Sequence, residues 1–194
     1  MRFRKKNEFR PDVHREDILG KLLLTKRQRQ TLLRWFLFSA VCVAALIIQD
    51  VVMSRVTVFD TTTDLVPCCI LAVCILQGGE SGCIFALSAS LIYYFSGSAP
   101  GVPCIPILTA LAVFAAIFRQ AYLRQGFITL LLLLAVCMAL YELAIFGIAL
   151  FMKLTVPARL TAHLVSGGIT LVSAPILYPI LMSIGKIGGE TWKE

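Results

Sequence analysis

The chain has 194 residues, 58% of them hydrophobic and only 15% charged, with a mean hydropathy of +0.84. A soluble domain is about half apolar and a quarter charged, and the excess here is gathered into long blocks. This excludes an ordinary water-soluble core and predicts an all-α, polytopic membrane bundle. The formal net charge of +7 sits in one place: residues 1–34 hold eleven Lys or Arg and four acids, and the rest of the chain holds seven of each.

The basic segment 1–34 is expected to be a cytoplasmic tail. By the positive-inside rule, Lys5, Lys6, Lys26, Arg27, Arg29 and Arg34 set the topology and face anionic lipid. Nucleic acid is not an expected partner, because the bases carry no interleaved aromatics and match no RNA- or DNA-binding module. The stretch "EDILGKLLLTKRQRQTLLR" follows helical spacing in part, as in a helix lying along a membrane surface, and loses its apolar stripe at residues 27–30. No small-residue cleavage site follows the first apolar run, so that run is expected to remain as a span.

Six runs follow. The first, 35–53, opens on Trp35 as an interfacial anchor and contains "AVCVA", where Ala40 and Ala44 form a small-xxx-small pair suited to close helix packing. The second, 65–77, rises only about 20 Å, short of the roughly 30 Å of hydrocarbon, and has Pro67 in its first turn where a missing N–H does little harm. "QGGESG" then joins it to a third run, 83–95. Gly78 and Gly79 are expected to end one helix, Ser81 to cap the next, and Glu80 to lie near its positive end, with Gly82 completing a tight inner turn. Runs four to six cover 107–118, 127–152 and 164–184, and residues 185–194 form a short C-terminal tail. Six spans place both termini in the cytoplasm.

Little in the chain points to catalysis. "QGGESG" lacks the Lys-Ser/Thr of a phosphate-binding loop and follows no strand, and neither His14 nor His163 has a nucleophile placed beside it. The seven cysteines lie mostly in apolar runs without C-x₂-C spacing, which suits packing rather than zinc or redox chemistry. Asp60 and Asp64 read as solvated loop acids, with cation binding as the alternative. Glu142, between "ALY" and "LAIFGIAL", is the most informative residue, because an acid inside a span normally faces the bundle interior and has a partner. A relay or ligand role is one reading. The other, adopted here because a relay would call for several such groups, is a hydrogen-bonded acid that packs helices with Tyr141 or a nearby hydroxyl. No enzyme, cofactor or metal is expected.

The order of these pieces resembles the MreD family of bacterial rod-shape-determining membrane proteins over residues 34–185. The resemblance is carried by "LIIQDVV", "TDLVPCCILAVCILQGGESGCIFALSASLIYYFSGSAPG", "YELAIFGIAL" and "SAPILYPIL". Where the family has G-x-x-x-G-x-x-x-G ending near an aspartate, this chain has Gly82, Ala86 and Ser90, with Tyr94 about where the acid would stand. The resemblance implies a non-enzymatic scaffold of the cell-elongation machinery in the bacterial plasma membrane. Such a scaffold binds the single-pass protein MreC and helps couple cytoskeletal filaments to peptidoglycan synthesis. The implied fold is similar to the substrate-capture subunits of energy-coupling-factor transporters. The alternative reading is such a subunit itself, with the "AVCVA" face docking a scaffold helix and the outer loops closing over a vitamin. Neither reading specifies an oligomeric state.

If the tail sets the topology, neutralising Lys5, Lys6, Lys26, Arg27 and Arg29 together yields a mixture of orientations. Cysteine-accessibility mapping checks this at Arg119, which is expected inside in the parent and on both sides in the variant. An unmixed inside position would show that the tail is not the dominant signal.

Overall fold

The computed structural model describes residues 26–52, 63–122 and 127–187. Among them regular structure is entirely helical. Helix α1 spans Lys26–Val51, α2 Leu65–Gln77, α3 Gly79–Phe95, α4 Cys104–Tyr122 and α5 Phe127–Phe151, and a 3₁₀ turn at Pro157–Arg159 leads into α6, Leu160–Gly185. Several helices outrun their apolar cores. Helix α1 begins at Lys26 rather than Trp35 because Gln, Arg and Leu are good helix formers and the backbone turn does not stop where the greasy run does. Helix α6 stays continuous through Pro175 and Pro179, as membrane helices do when neighbours and hydroxyls answer the freed carbonyls.

Three helical stretches, Gln28–Val51, Phe127–Phe151 and Pro157–Gly185, are long and apolar enough to cross a membrane. Leu65–Gln77 and Cys104–Arg119 are apolar but shorter. Large apolar side chains such as Phe36, Ile84, Ile117, Leu132 and Ile176 stand exposed on the outside, a surface suited to hydrocarbon rather than water.

The architecture is a ring around an axle. Helix α2 packs against all five other helices, and those five neighbour one another in the order α1, α3, α4, α5, α6 and back to α1. Every α2 residue from Leu65 to Leu76 is buried. The α1–α3 seam is the loosest, and an apolar groove opens there with Val66 of α2 on its floor and Val43, Leu46, Phe85 and Ile92 on its walls. The tightest approach is the α2–α3 hairpin. A Cβ on Gly82 would lie 3.1 Å from the Cys74 carbonyl oxygen, and that same hairpin is pinned by the Cys74 thiol donating to the Gly82 carbonyl at 3.1 Å. Ala86 and Ser90 continue the buried face one and two turns on.

A helix of 13 residues buried in this way ends inside the protein, so its unpaired terminal N–H and C=O groups need partners from elsewhere. At its C-terminus they come from α4. Arg119 extends its Nη1 to the carbonyls of Ile75 and Leu76, the latter at 2.8 Å, where a cation also complements the negative end of the helix dipole. Gly78 turns the chain with φ +62° and donates its N–H to the Cys74 carbonyl at 2.8 Å. A Cβ on Gly78 would lie 2.9 Å from Arg119 Nη1, so this glycine makes both the turn and the space for the guanidinium.

Arg119→Gln should therefore destabilise the bundle by about 3 kcal/mol, since hydrogen bonds from a charged donor contribute roughly 1.5–3 kcal/mol each. Gly78→Ala should cost about 1–2 kcal/mol in backbone strain alone. Thermal unfolding of the purified chain in detergent checks both, and Gly82→Ala, whose Cβ would press on the Cys74 backbone, should lower the midpoint as well.

Candidate functional site: a buried polar junction at the start of α2

The other end of α2 is capped without any ion. Pro67 lacks an N–H, which leaves Val66 as the first-turn donor that most needs an acceptor, and Gln49 Oε1 of α1 provides it at 2.9 Å. The preceding Asp64 N–H goes to Thr170 Oγ1 of α6 at 3.2 Å, and Thr170 passes its own proton to the Ser166 carbonyl at 2.8 Å. Two helices remote in sequence thus hold the entry to the axle. The loop after α3 lies at the same end: Ser96 donates to the Tyr93 carbonyl at 2.7 Å, and Ser98 donates to Asp50 Oδ1 at 2.5 Å.

Glu142 enters this end from α5. It is 4% exposed, and its Oε2 lies 3.5 Å from His163 Nδ1 of α6, an ion pair whenever the half-buried imidazole is protonated. The His163 ring meets Phe146 edge-on at 5.5 Å between centroids. The stem of Glu142 passes across Gly167, where a Cβ would lie 3.1 Å from Glu142 Cγ, so a glycine in α6 is what lets α5 bring its acid inward. Tyr93 of α3 and Tyr141 of α5 are fully buried nearby. Tyr93, Tyr141, Cys104 and Glu142 all lie within electrostatic reach of Asp64. The Tyr93 hydroxyl approaches Gln49 but forms no hydrogen bond of regular geometry. Helices α1, α3, α5 and α6, with α2 through its N-cap residue Asp64, therefore contribute polar groups to one junction.

The residues singled out in the sequence fall in different places. Tyr141 and Glu142 are in the junction. Gly78, Gly79, Glu80 and Gly82 form the hairpin turn at the far end, where Gly78 and Gly79 both adopt positive φ and Glu80 is exposed in the first turn of α3. Gly78, not Ser81, stands at the cap of α3. The helix starts early enough to take Ser81 into its first turn, where the hydroxyl donates back to the Gly78 carbonyl at 3.4 Å. Ala86 and Ser90 are buried between helices, whereas Ala40 and Ala44 are exposed on α1. Arg29 is exposed and Arg34 partly buried. Lys5 and Lys6 lie outside the described residues, as do the side chains of Lys26 and Arg27.

Asp64 is not the solvated loop acid that its flanking threonines suggested. It is half-buried at the N-cap of α2, held by the backbone hydrogen bond to Thr170. Arg119, Gln49, Tyr93, Thr170 and His163 were not predicted as site residues. Gln49 had a legible signal, a polar amide inside an apolar run. The others look like ordinary residues at span ends, and only the three-dimensional ring brings them to α2 or Glu142.

Among the described residues no group of three or more His, Cys, Asp or Glu side chains is arranged to hold a metal ion. All seven cysteines are free, and the Cys42 and Cys69 thiols meet at 3.6 Å between α1 and α2. Comparison of the chain with protein-family models, with curated proteins and with solved structures finds no match. The expected likeness to transporter substrate-capture subunits thus has no solved structure behind it.

Gln49→Leu keeps the bulk of the side chain but strips the acceptor from the Val66 N–H. It should lower stability by about 1–3 kcal/mol, the penalty of a bare buried amide. Denaturation of the purified variant beside the parent measures the difference.

Proposed function

We propose that this chain is a non-enzymatic, six-span scaffold of the bacterial cell-elongation machinery, of the MreD type, placed in the plasma membrane with both termini in the cytoplasm. The observation that carries the reading is the order of sequence pieces: Asp-Leu opening a short second run, glycines at a tight turn, a small-residue face on the third run at Gly82, Ala86 and Ser90, and a glycine-proline loop after it. Three features are in keeping with it. The chain is helical, its exterior is apolar, and its polar groups serve the ends of a buried helix rather than forming a nucleophile-base pair. On this reading the partners are an MreC-like single-pass protein and other elongation-complex proteins, met through helix faces and outer loops, with anionic lipid at the basic tail.

Depletion of the protein from a rod-shaped host should give rounded cells. A tagged copy purified from the same membranes should retain the host's MreC-like partner at fixed stoichiometry. Unchanged rods together with stoichiometric co-purification of a vitamin would overturn the scaffold reading in favour of substrate capture.

A further inference from the structure

Five buried side-chain polar atoms among the described residues have no hydrogen-bond partner, and four of them lie at the start of α2: Thr63 Oγ1, Tyr93 OH, Tyr141 OH and Glu142 Oε1. Buried polar atoms are nearly always paired, and each exception calls for an explanation such as a bound water or ion. The fifth is Arg34 Nε in α1. Gln49, Ser90 and Thr170, equally buried, all make hydrogen bonds. The bare oxygens are therefore concentrated at one end of α2 rather than scattered.

Asp64 and Glu142 also bring two carboxyl groups to this point, and the half-buried His163 stands 3.5 Å from Glu142 Oε2, leaving Oε1 bare. The unsatisfied groups here are all oxygens, which suits a hard cation or an N–H-bearing ammonium. Four bare oxygens also fall short of the roughly six to eight that Ca²⁺ takes, and among the described residues no three His, Cys, Asp or Glu side chains are grouped to hold a transition metal.

The geometry points to a binding site for a small monovalent cation, a metal ion or a primary ammonium, held by Glu142 Oε1 and the hydroxyls of Tyr93 and Tyr141, with Asp64 at the neighbouring N-cap of α2. A cation there satisfies the bare oxygens in one step. It also links α3 and α5 to the start of α2, which the Gln49 and Thr170 bonds tie only to α1 and α6. The assignment goes beyond the scaffold reading and does not depend on it.

The test is thermal unfolding of the purified full chain in a neutral detergent, in sodium, potassium or methylammonium chloride and in choline chloride at the same ionic strength. Choline serves as the bulky cation without N–H groups. One of the three small cations should raise the midpoint saturably, by about 4 °C when present at ten times its Kd, and which one does so separates a metal ion from an ammonium. Glu142→Gln should abolish the shift. Tyr141→Phe should weaken the apparent affinity about tenfold while unfolding no lower than the parent in choline, since it removes a hydroxyl left bare without the ion. If Glu142→Gln does not fold, the double variant Tyr93→Phe with Tyr141→Phe carries the same test and should lose the shift. Equal midpoints in all four salts would overturn the assignment, as would a shift that survives in Glu142→Gln or in the double tyrosine variant.

Discussion

A short helix that ends inside its own protein must have both ends answered by its neighbours, and the structure is organised around that demand. Leu65–Gln77 is too short to carry its terminal amides and carbonyls out to water and is enclosed by five helices. In a hydrocarbon setting helix association draws little from the hydrophobic effect, because lipid is as apolar as leucine. Packing density and the few polar bonds therefore decide the arrangement. Gln49 and Thr170 at one end and Arg119 at the other fix where α2 sits along its axis, while Gly82 and Cys74 fix how closely α3 lies against it.

The two ends solve the same problem with different chemistry. At the C-terminus a single guanidinium spans two carbonyls and sits where a positive charge is favoured by the dipole. At the N-terminus an amide and a hydroxyl accept one N–H each, while two phenols and one oxygen of an acid crowd in without partners. The first end is complete in itself. The second holds unused hydrogen-bonding capacity, and that asymmetry is what marks it as the place where the protein has something left to bind.

How much of this was legible in the sequence follows from what kind of signal each feature leaves. The second helix was visible as a 13-residue run shorter than the hydrocarbon is thick, and the hairpin as two glycines between greasy stretches, because length and turn chemistry are local properties; that the other helices would ring it was not. Glu142 stood out because an acid inside an apolar run is conspicuous wherever it occurs. Arg119 did not stand out, since a basic residue closing an apolar run reads as a topology signal. Nothing local says that it turns inward to the Ile75 and Leu76 carbonyls. Ala40 and Ala44 show the converse. Their spacing is a packing signal, yet in this bundle they point outward, while the equivalent spacing at Gly82, Ala86 and Ser90 points in. Spacing identifies a face but not the direction it turns. That residues 26–34 continue the first span as one helix was not legible, although a partial surface helix was, since hydropathy reports where apolarity ends and not where the backbone ceases to be helical.

The placement of the caps on α2 bears on how such a chain is built. Helices enter a bilayer in the order in which they are made, and α2 emerges second. The acceptor on Gln49 is already present by then, but Arg119 arrives two helices later and Thr170 only with the last. Through most of synthesis the central helix therefore lacks partners it needs at both ends, and it has no stable position of its own until the chain is nearly complete. Closure of the ring by α6 is then the step that commits the whole bundle, and a chain cut short before Thr170 would leave its innermost helix incompletely held.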